Sequence, residues 1–270
     1  MNQRQQLIEI ISRYCDIFPD QLRYLSGMVA TVCYSRPLNE KKLELAMHEC
    51  HRMGGTAHCM GYRYMGTILI SLENDLLKAK SSPAEQVDAQ LQVIKKKLAR
   101  IYGVVRHITP PNSLLIRASE TDDVEESSPE YSSVDACSPG HAEHRILVAD
   151  DDESIRALVA LTLQDAGFGK VEMAASGEAA LSIAHDFNPT MLIADWMMSP
   201  MSGMDLLEAI RSGDTPFQPS IPVIFISTLN EQRRIHKVIR SGADFFLLKP
   251  FTQKELVNGV SQVARKKLAA

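Results

Sequence analysis

The 270-residue sequence lacks several features that would place it in a common class. No apolar run approaches the roughly 20 residues that cross a membrane. The five cysteines are odd in number and include no CxxC pair, so a disulfide framework is not indicated. The first residues, MNQRQQLIEIISRYC, lack the zones of a signal peptide. A net charge of −4 gives no general attraction for nucleic acid. We therefore expect a cytoplasmic protein without membrane insertion or direct nucleic-acid contact.

A strongly acidic stretch divides the chain. Residues 119–144 read SETDDVEESSPEYSSVDACSPGHAEH, with eight acidic residues, no lysine or arginine and almost nothing apolar. Such a segment buries too little surface to offset the entropy of ordering it. The sequence therefore predicts a flexible linker at 119–143, between a first domain at 1–118 and a second at 144–270.

The first domain shows only the helical period of apolar residues. Residues 3–16 follow this period, Phe18-Pro19 interrupts it, and 19–33 resume it. Further amphipathic segments are expected at 43–60, 62–80 and 83–102, whereas 104–118 is ambiguous and is treated as a tail. With no strand pattern before residue 103, we expect an all-α helical bundle.

Beyond the acidic stretch the pattern changes to alternating strands and helices. The short apolar runs are RILVA (145–149), KVEMA (170–174), TMLIA (190–194), IPVIFIS (221–227) and FFLL (245–248). Five strand–helix repeats predict an α/β domain with a doubly wound, five-stranded parallel sheet. In such sheets, ligands bind beyond the carboxyl ends of the strands.

Reactive side chains follow those strand ends. Asp150 and Asp151 come after the first strand, Asp195 after the third, Ser227 ends the fourth, and Lys249 follows the fifth. Converging carboxylates repel one another unless a cation lies among them, and hard oxygen ligands suit Mg²⁺. The ammonium and hydroxyl groups suit a phosphoryl group carried on an aspartate.

The motifs ILVADDDES, LIADWMMSPMSG, VIFIST and GADFFLLKPF resemble those of the response-regulator receiver family, in order and at similar spacing. The resemblance covers residues 144–270 and implies a flavodoxin-like fold. It further implies that Asp195 is the phosphoacceptor, and that Asp150, Asp151 and Asp195 bind Mg²⁺ with the backbone carbonyl of Met197.

The same resemblance assigns roles at the last two strands. Lys249 would contact the phosphoryl group and precede a cis peptide bond at Pro250, while Ser227 and Phe246 would form the switch pair. The sequence departs from the family where proline often stands four residues after the acceptor, since that place is taken by Ser199.

The segment HRMGGTAHCMGY, residues 51–62, places two adjacent glycines in a predicted helix, where each costs about 0.5–1 kcal/mol relative to alanine. On a helical wheel an apolar stripe forms on one side, and His51 lies opposite it with Gly54 and Gly55 nearby. The pattern predicts a solvent-facing imidazole on an uncluttered surface, where a partner's aspartate can dock. The apolar stripe consists of Leu43, Ala46, Cys50, Met53, Ala57 and Met60.

This segment resembles the motif of histidine phosphotransfer (HPt) domains, a histidine with glycine four and ten residues later. His51, Gly55 and Gly61 match that spacing, and the resemblance extends over about residues 1–105. It implies that His51 carries a phosphoryl group. Two other interpretations stay open: a metal site formed by the histidines of this helix with Cys59, and solvated histidines on a purely structural bundle. The histidines concerned are His48, His51 and His58.

Together the resemblances indicate a bacterial two-component phosphorelay protein. The chain contains no nucleotide-binding motif, so the phosphoryl group must come from a histidine kinase or a hybrid kinase's receiver. A downstream response regulator or a regulated enzyme would be the target, and a receiver-mediated dimer is compatible with this function. In the leading hypothesis His51 exchanges phosphoryl groups with receiver aspartates, including Asp195. The alternatives are an interaction switch that uses the bundle only for docking, and a phosphate sink.

Overall fold

The computed structural model describes residues 2–35, 37–121, 141–227 and 239–268. Within these ranges the chain divides into two compact units, a helical unit that holds residues 7–121 and an α/β unit that holds residues 141–227 and 239–268. Most of the predicted linker lies outside the described residues. Its predicted start at 119 is wrong, because a helix continues to Thr121. None of the helices in the described ranges is both long and apolar enough to span a bilayer.

The helical unit contains four long helices and one short one, as the apolar period predicts. They are α1 (Gln3–Tyr34), α2 (Glu40–Cys59), α3 (Arg63–Ser81), α4 (Ala84–Val104) and α5 (Leu114–Thr121). Asn39 begins α2 by accepting a hydrogen bond from the backbone N–H of Lys42, which satisfies one of the unpaired N–H groups of the first turn. The prediction of a helical region is confirmed.

Helix α1 corrects the prediction of a break at Phe18-Pro19. The helix runs through Pro19 without ending there, although proline has no N–H to donate to the carbonyl four residues earlier. Tyr14, Phe18 and Leu22 flank the proline and are at most 2% exposed. Burial of these large side chains, worth about 1.5–3 kcal/mol each, outweighs the cost of about 3 kcal/mol for an internal proline.

The ambiguous segment after α4 is folded rather than a loose tail. It forms two short 3₁₀ turns, Val105–His107 and Pro110–Asn112, and then enters α5. The Ser113 hydroxyl donates to the carbonyl of Met60 (2.7 Å), and the Tyr62 hydroxyl donates to the carbonyl of Thr109 (2.8 Å). Ile108 and Ile116 are buried. This segment therefore closes the end of the bundle at the turn between α2 and α3.

The α/β unit has the predicted five-stranded parallel sheet. Its strands are β1 (Arg145–Ala149), β2 (Lys170–Ala174), β3 (Met191–Asp195), β4 (Val223–Ser227) and β5 (Phe245–Leu248). The described helices are α6 (Glu153–Asp165), α7 (Gly177–Phe187), α8 (Gly203–Ser212) and α9 (Gln253–Leu268).

The strand order is β2-β1-β3-β4-β5, which is the doubly wound, flavodoxin-like order. Strands β3 and β4 are buried along their whole length, which explains their continuous apolar sequences, whereas β2 lies at an edge and is largely exposed. The order reverses next to β1, so β1 and β3 frame a crevice at their carboxyl ends.

Candidate functional site

Three carboxylates meet at the carboxyl ends of β1 and β3. Asp150 and Asp151 follow β1 directly, and Asp195 is the last residue of β3. The backbone N–H of Asp150 donates to the carbonyl of Ala174 at the end of β2 (3.2 Å), which fixes where the chain leaves the sheet. One carboxylate oxygen of each aspartate lies within 4.8 Å of the others. The crevice therefore has the acidic cluster that the sequence predicts.

Lys249 brings a positive charge to this cluster. Its Nζ donates to Oδ2 of Asp150 (2.7 Å) and lies 3.5 Å from Oδ1 of Asp195. Its backbone N–H donates to the carbonyl of Ser227 (2.7 Å), which ties the end of β5 to the end of β4. The peptide bond to Pro250 is cis, as the resemblance implies. The lysine is only 8% exposed, so its charge acts in a weakly screened environment.

Asp195 is the most perturbed carboxyl group of the cluster. Burial, together with the neighbouring Asp150 and Asp151 carboxylates, raises the pKa of Asp195 to about 8, while Lys249 acts in the opposite direction. The cluster holds more negative charge than one lysine can balance. A divalent cation would favour the ionised form of these groups.

The donor set fits magnesium. Hard carboxylate oxygens converge on one point, and no histidine or cysteine belongs to the group. Met197 lies in the loop two residues after Asp195, close enough in sequence to supply its backbone carbonyl. The residues that could hold Mg²⁺ are therefore Asp150, Asp151 and Asp195, with Met197 as the expected fourth contributor.

Two supporting residues around the acidic cluster were not identified from the sequence. Arg156, in the first turn of α6, donates from Nη1 to the carbonyl of Asp150 (2.5 Å). Asp152 is not a metal ligand but the N-cap of α6, accepting from the N–H groups of Ser154 (2.9 Å) and Ile155 (3.3 Å). A capping aspartate followed by a helix was visible in the sequence as DDDES. The arginine four residues later carried no such signal.

The expected switch residues lie on neighbouring strands. Ser227 is fully buried at the end of β4. Phe246 lies in the middle of β5, beside Phe225 of β4, and is partly buried against the core of the sheet. Ser227 is the last residue of β4, whereas Phe246 is the second of the four residues of β5.

The predicted orientation of His51 is wrong. His51 is 8% exposed, and its Nδ1 lies 3.1 and 3.2 Å from the two carboxylate oxygens of Glu73 on α3. The predicted apolar stripe of α2 is buried as expected. The opposite side is buried as well, because α3 packs over it. A wheel drawn for one helix cannot show this second contact.

The glycines of α2 serve helix packing rather than an open docking face. A Cβ added at Gly54 would lie 2.8 Å from the side chain of Ile70 and 3.3 Å from the carbonyl of Gly66, both on α3. Gly55 is also buried. Gly61 has φ of +85°, a left-handed conformation that glycine adopts at little cost, and it turns the chain from α2 into α3. The two helices can therefore approach closely along this face.

The histidines of α2 do not form a metal cluster. Nδ1 of His58 lies 3.0 Å from the carbonyl of Gly54, and its Nε2 lies 3.3 Å from the hydroxyl of Thr67. Burial is the main cause that lowers the pKa of His58. Within the described ranges, the aspartates of the acidic cluster are the one group of three or more side chains arranged to hold a metal ion.

A flavodoxin-like sheet with a carboxylate trio and a lysine at its carboxyl edge defines a receiver-type signalling domain. In agreement, residues 146–261 match the family described as "Response regulator receiver domain". This part of the chain is a receiver domain. The match begins at β1 and leaves the helical unit outside it, so the HPt resemblance remains a prediction.

Individual relatives match the same half of the chain. The chemotaxis protein CheY of Pseudomonas aeruginosa is 29% identical over 119 residues, covering 44% of this chain and 94% of CheY. The phosphate regulon transcriptional regulatory protein PhoB of the same species is 30% identical over 121 residues, covering 45% of this chain. This chain spans about half the length of PhoB, 52%. The crystallised chemotaxis protein CheY4 of Vibrio cholerae is 32% identical, covers 44% of this chain and 98% of its own, and has a TM-score of 0.41.

Proposed function

We propose that the receiver domain accepts a phosphoryl group on Asp195 from the phosphohistidine of a histidine kinase. The observation that supports this most strongly is the contact of Lys249 with both Asp150 and Asp195 inside the carboxylate trio. A buried carboxylate with a cation beside it can hold a transferred phosphoryl group, whose charge would otherwise repel the cluster. A lysine that is 8% exposed and lies between two of the carboxylates is placed to contact a phosphoryl oxygen on Asp195.

The transfer itself is a displacement at phosphorus. An Oδ atom of Asp195 attacks the phosphorus of a donor phosphohistidine, a P–O bond forms, the P–N bond breaks, and the donor imidazole leaves with the bonding electron pair and takes up a proton. Mg²⁺, when bound, would neutralise carboxylate charge and coordinate a phosphoryl oxygen. Lys249 stabilises the negative charge on the phosphoryl oxygens. The low exposure of Asp195 keeps bulk water away from the new acyl phosphate.

Phosphorylation would be transmitted through the last two strands. The Ser227 hydroxyl can donate to a phosphoryl oxygen from the end of β4, and the partly buried Phe246 can then move with it. This change would alter the surface that a downstream response regulator or a regulated enzyme recognises. Asp195 phosphorylation thus gives the chain two distinguishable surfaces.

The test is phosphorylation of the full chain by acetyl phosphate with Mg²⁺, followed by intact-mass analysis. We expect one added phosphoryl group, lost in Asp195→Asn and strongly reduced when EDTA removes Mg²⁺. Asp186→Asn is the matched control, since Asp186 has a side chain that is 96% exposed and lies on α7, away from the cluster. Equal phosphorylation of Asp195→Asn and the wild type would refute the assignment.

A second candidate function is phosphotransfer through His51, as the HPt resemblance implies. The contact that supports it is the pairing of His51 Nδ1 with Glu73. When the carboxylate accepts a hydrogen bond from Nδ1–H, the proton stays on Nδ1 and Nε2 carries the free lone pair, so this pairing prepares Nε2 to act as a nucleophile. The His51 side chain retains 11% exposure, and a partner's aspartyl phosphate must approach through this opening.

His51→Gln separates the remaining hypotheses. Incubation with a radiolabelled phospho-receiver should label the wild type at histidine and leave the variant unlabelled, while His48→Gln on the same helix should behave like the wild type. If His51→Gln leaves all transfer unchanged, the chain is an interaction switch controlled through Asp195. Rapid loss of label from Asp195 as inorganic phosphate would instead identify a phosphate sink.

A further inference from the structure

The helical unit carries a positive charge that neither phosphate site uses. Residues 1–118 contain 16 lysines and arginines against 10 aspartates and glutamates, in a chain whose net charge is −4. Part of this charge is concentrated between α3 and α4, where a groove of about 460 Å³ opens to solvent. We call it the basic groove. Its cationic walls and apolar surface are formed by Lys96, Lys97, Arg100, Tyr64, Ile68 and Val93.

The cations of the basic groove are held in place to different degrees. Lys97 Nζ donates to the hydroxyl and carbonyl oxygens of Ser71 (2.6 and 3.1 Å) and pairs with the buried Asp75. Arg100 stands over the ring of Tyr64, with its guanidinium carbon 5.6 Å from the ring centroid, and donates to the Tyr64 hydroxyl (2.5 Å). Lys96 is exposed at the groove edge. No carboxylate is among the residues that line the described groove, and because Asp75 balances Lys97, the net positive charge of the groove comes from Lys96 and Arg100.

Apolar surface lies open in the same groove. The Tyr64 and Val93 side chains belong to residues that are 52% and 44% exposed, while Ile68 is buried beneath them. Tyr64 also borders a neighbouring depression of about 440 Å³, at whose edge Leu114 is 42% exposed. The groove therefore offers contiguous apolar surface beside the positive charges of Lys96 and Arg100.

We propose that the basic groove is a docking site for an acidic, amphipathic peptide segment of a partner protein. Glutamate or aspartate side chains would pair with Lys96 and Arg100, and an apolar side chain would pack on Val93 and Tyr64. Charge complementarity selects an acidic partner, and the exposed apolar pair distinguishes a peptide from a simple inorganic anion. A nucleic-acid strand fits less well, because the cations occupy one short groove in a chain that is acidic overall.

The test uses the full chain and a short fluorescent peptide with glutamates on one helical face and leucine and tyrosine on the other. We expect saturable binding that weakens as salt rises. Lys96→Glu combined with Arg100→Glu should weaken it by about tenfold or more. Lys95→Glu is the control that reverses one charge on the same helix outside the groove. Lys95 does not line the groove, and its ammonium group lies 4.4 Å from the centroid of the Tyr34 ring. This control should change the affinity by less than about twofold.

A second pair of variants tests the apolar contact. Val93→Ser should weaken binding several-fold, whereas Leu77→Ser, which alters a residue exposed to 49% on α3 outside the groove, should not. Circular dichroism checks that each variant is folded. The proposal would be overturned by equal losses for Lys95→Glu and for Lys96→Glu combined with Arg100→Glu, by unchanged binding of a peptide with glutamine in place of glutamate, or by no saturable binding. Preferential binding of an RNA oligonucleotide would also overturn it. So would self-association of the chain in sedimentation analysis that is lost when Lys96→Glu is combined with Arg100→Glu.

Discussion

Gly203→Ala should misplace the phosphoacceptor without unfolding the receiver domain. Gly203 begins α8, and its backbone N–H donates to the carbonyl of Trp196 (3.0 Å), which closes the loop after Asp195. A Cβ added there would lie 2.2 Å from the carbonyl oxygen of Asp195 and 2.7 Å from the ring of Phe225. Ordinary contacts begin at 3.4 Å, so the end of β3 or the start of α8 must move by about 1 Å.

The size of the effect follows from that displacement. Overpacking of this kind costs about 1–3 kcal/mol of unfolding free energy, which a domain of this size can tolerate. A shift of about 1 Å in a reacting group can lower a rate by about 100-fold. We therefore expect phosphorylation by acetyl phosphate to slow by one to two orders of magnitude, a larger effect than the loss of stability would cause in a folded protein.

The assay measures the phosphorylation rate by intact mass and the stability by urea unfolding. Gly259→Ala is the matched control, because its added Cβ would lie 2.6 Å from the ring of Phe245. Phe245 is the first residue of β5, at the end of the strand that does not lead to Lys249. That variant should lose a similar amount of stability and retain its phosphorylation rate. A wild-type rate in Gly203→Ala, or equal slowing in both variants, would show that the position of Gly203 does not control Asp195.

Three further outcomes are expected. Lys249→Met removes the buried cation beside Asp195 and should slow phosphorylation by about 100-fold in the same mass assay, so an unchanged rate would contradict its role in charge stabilisation. Gly54→Ala should destabilise the helical unit by about 1–3 kcal/mol in urea, because its Cβ meets Ile70; a gain in stability would show that α2 is open there. Burial lowers the pKa of His58 below its usual value of about 6.5, so the unfolded chain binds a proton first as pH falls. The stability that neutral His58 contributes should therefore be complete above about pH 6.5 and should decline below it. Urea unfolding of the wild type and His58→Gln measures this, and a difference in unfolding free energy that is the same at pH 7.5 and pH 5 would contradict it.

The sheet was predictable because its signals are local. Three of the five strands have the predicted bounds, and the other two differ by one or two residues at their starts or ends. Parallel strands bring their carboxyl ends to one edge, so the convergence of Asp150, Asp195 and Lys249 followed from topology alone. Arg156 was missed because its contact is with a backbone carbonyl, which no side-chain pattern reveals.

The helical unit was less predictable because its contacts join distant parts of the chain. Glu73 stands 22 residues from His51, and nothing in the sequence pairs them. The burial of His51 follows from the close approach of α2 to α3 at Gly54 and Gly66. Small residues on both helices were a usable signal of that approach. The pattern GG next to a histidine was instead interpreted as an exposed surface.

The folded segment after α4 determines where the chain can be cut. A fragment that ends near residue 105, the limit of the HPt resemblance, would lack the hydroxyl that satisfies the Met60 carbonyl and the N–H that satisfies the Gly61 carbonyl. It would also uncover the apolar surface that Ile108 and Ile116 bury. Isolating the amino-terminal half as a stable, monodisperse piece therefore requires retaining the chain through Thr121.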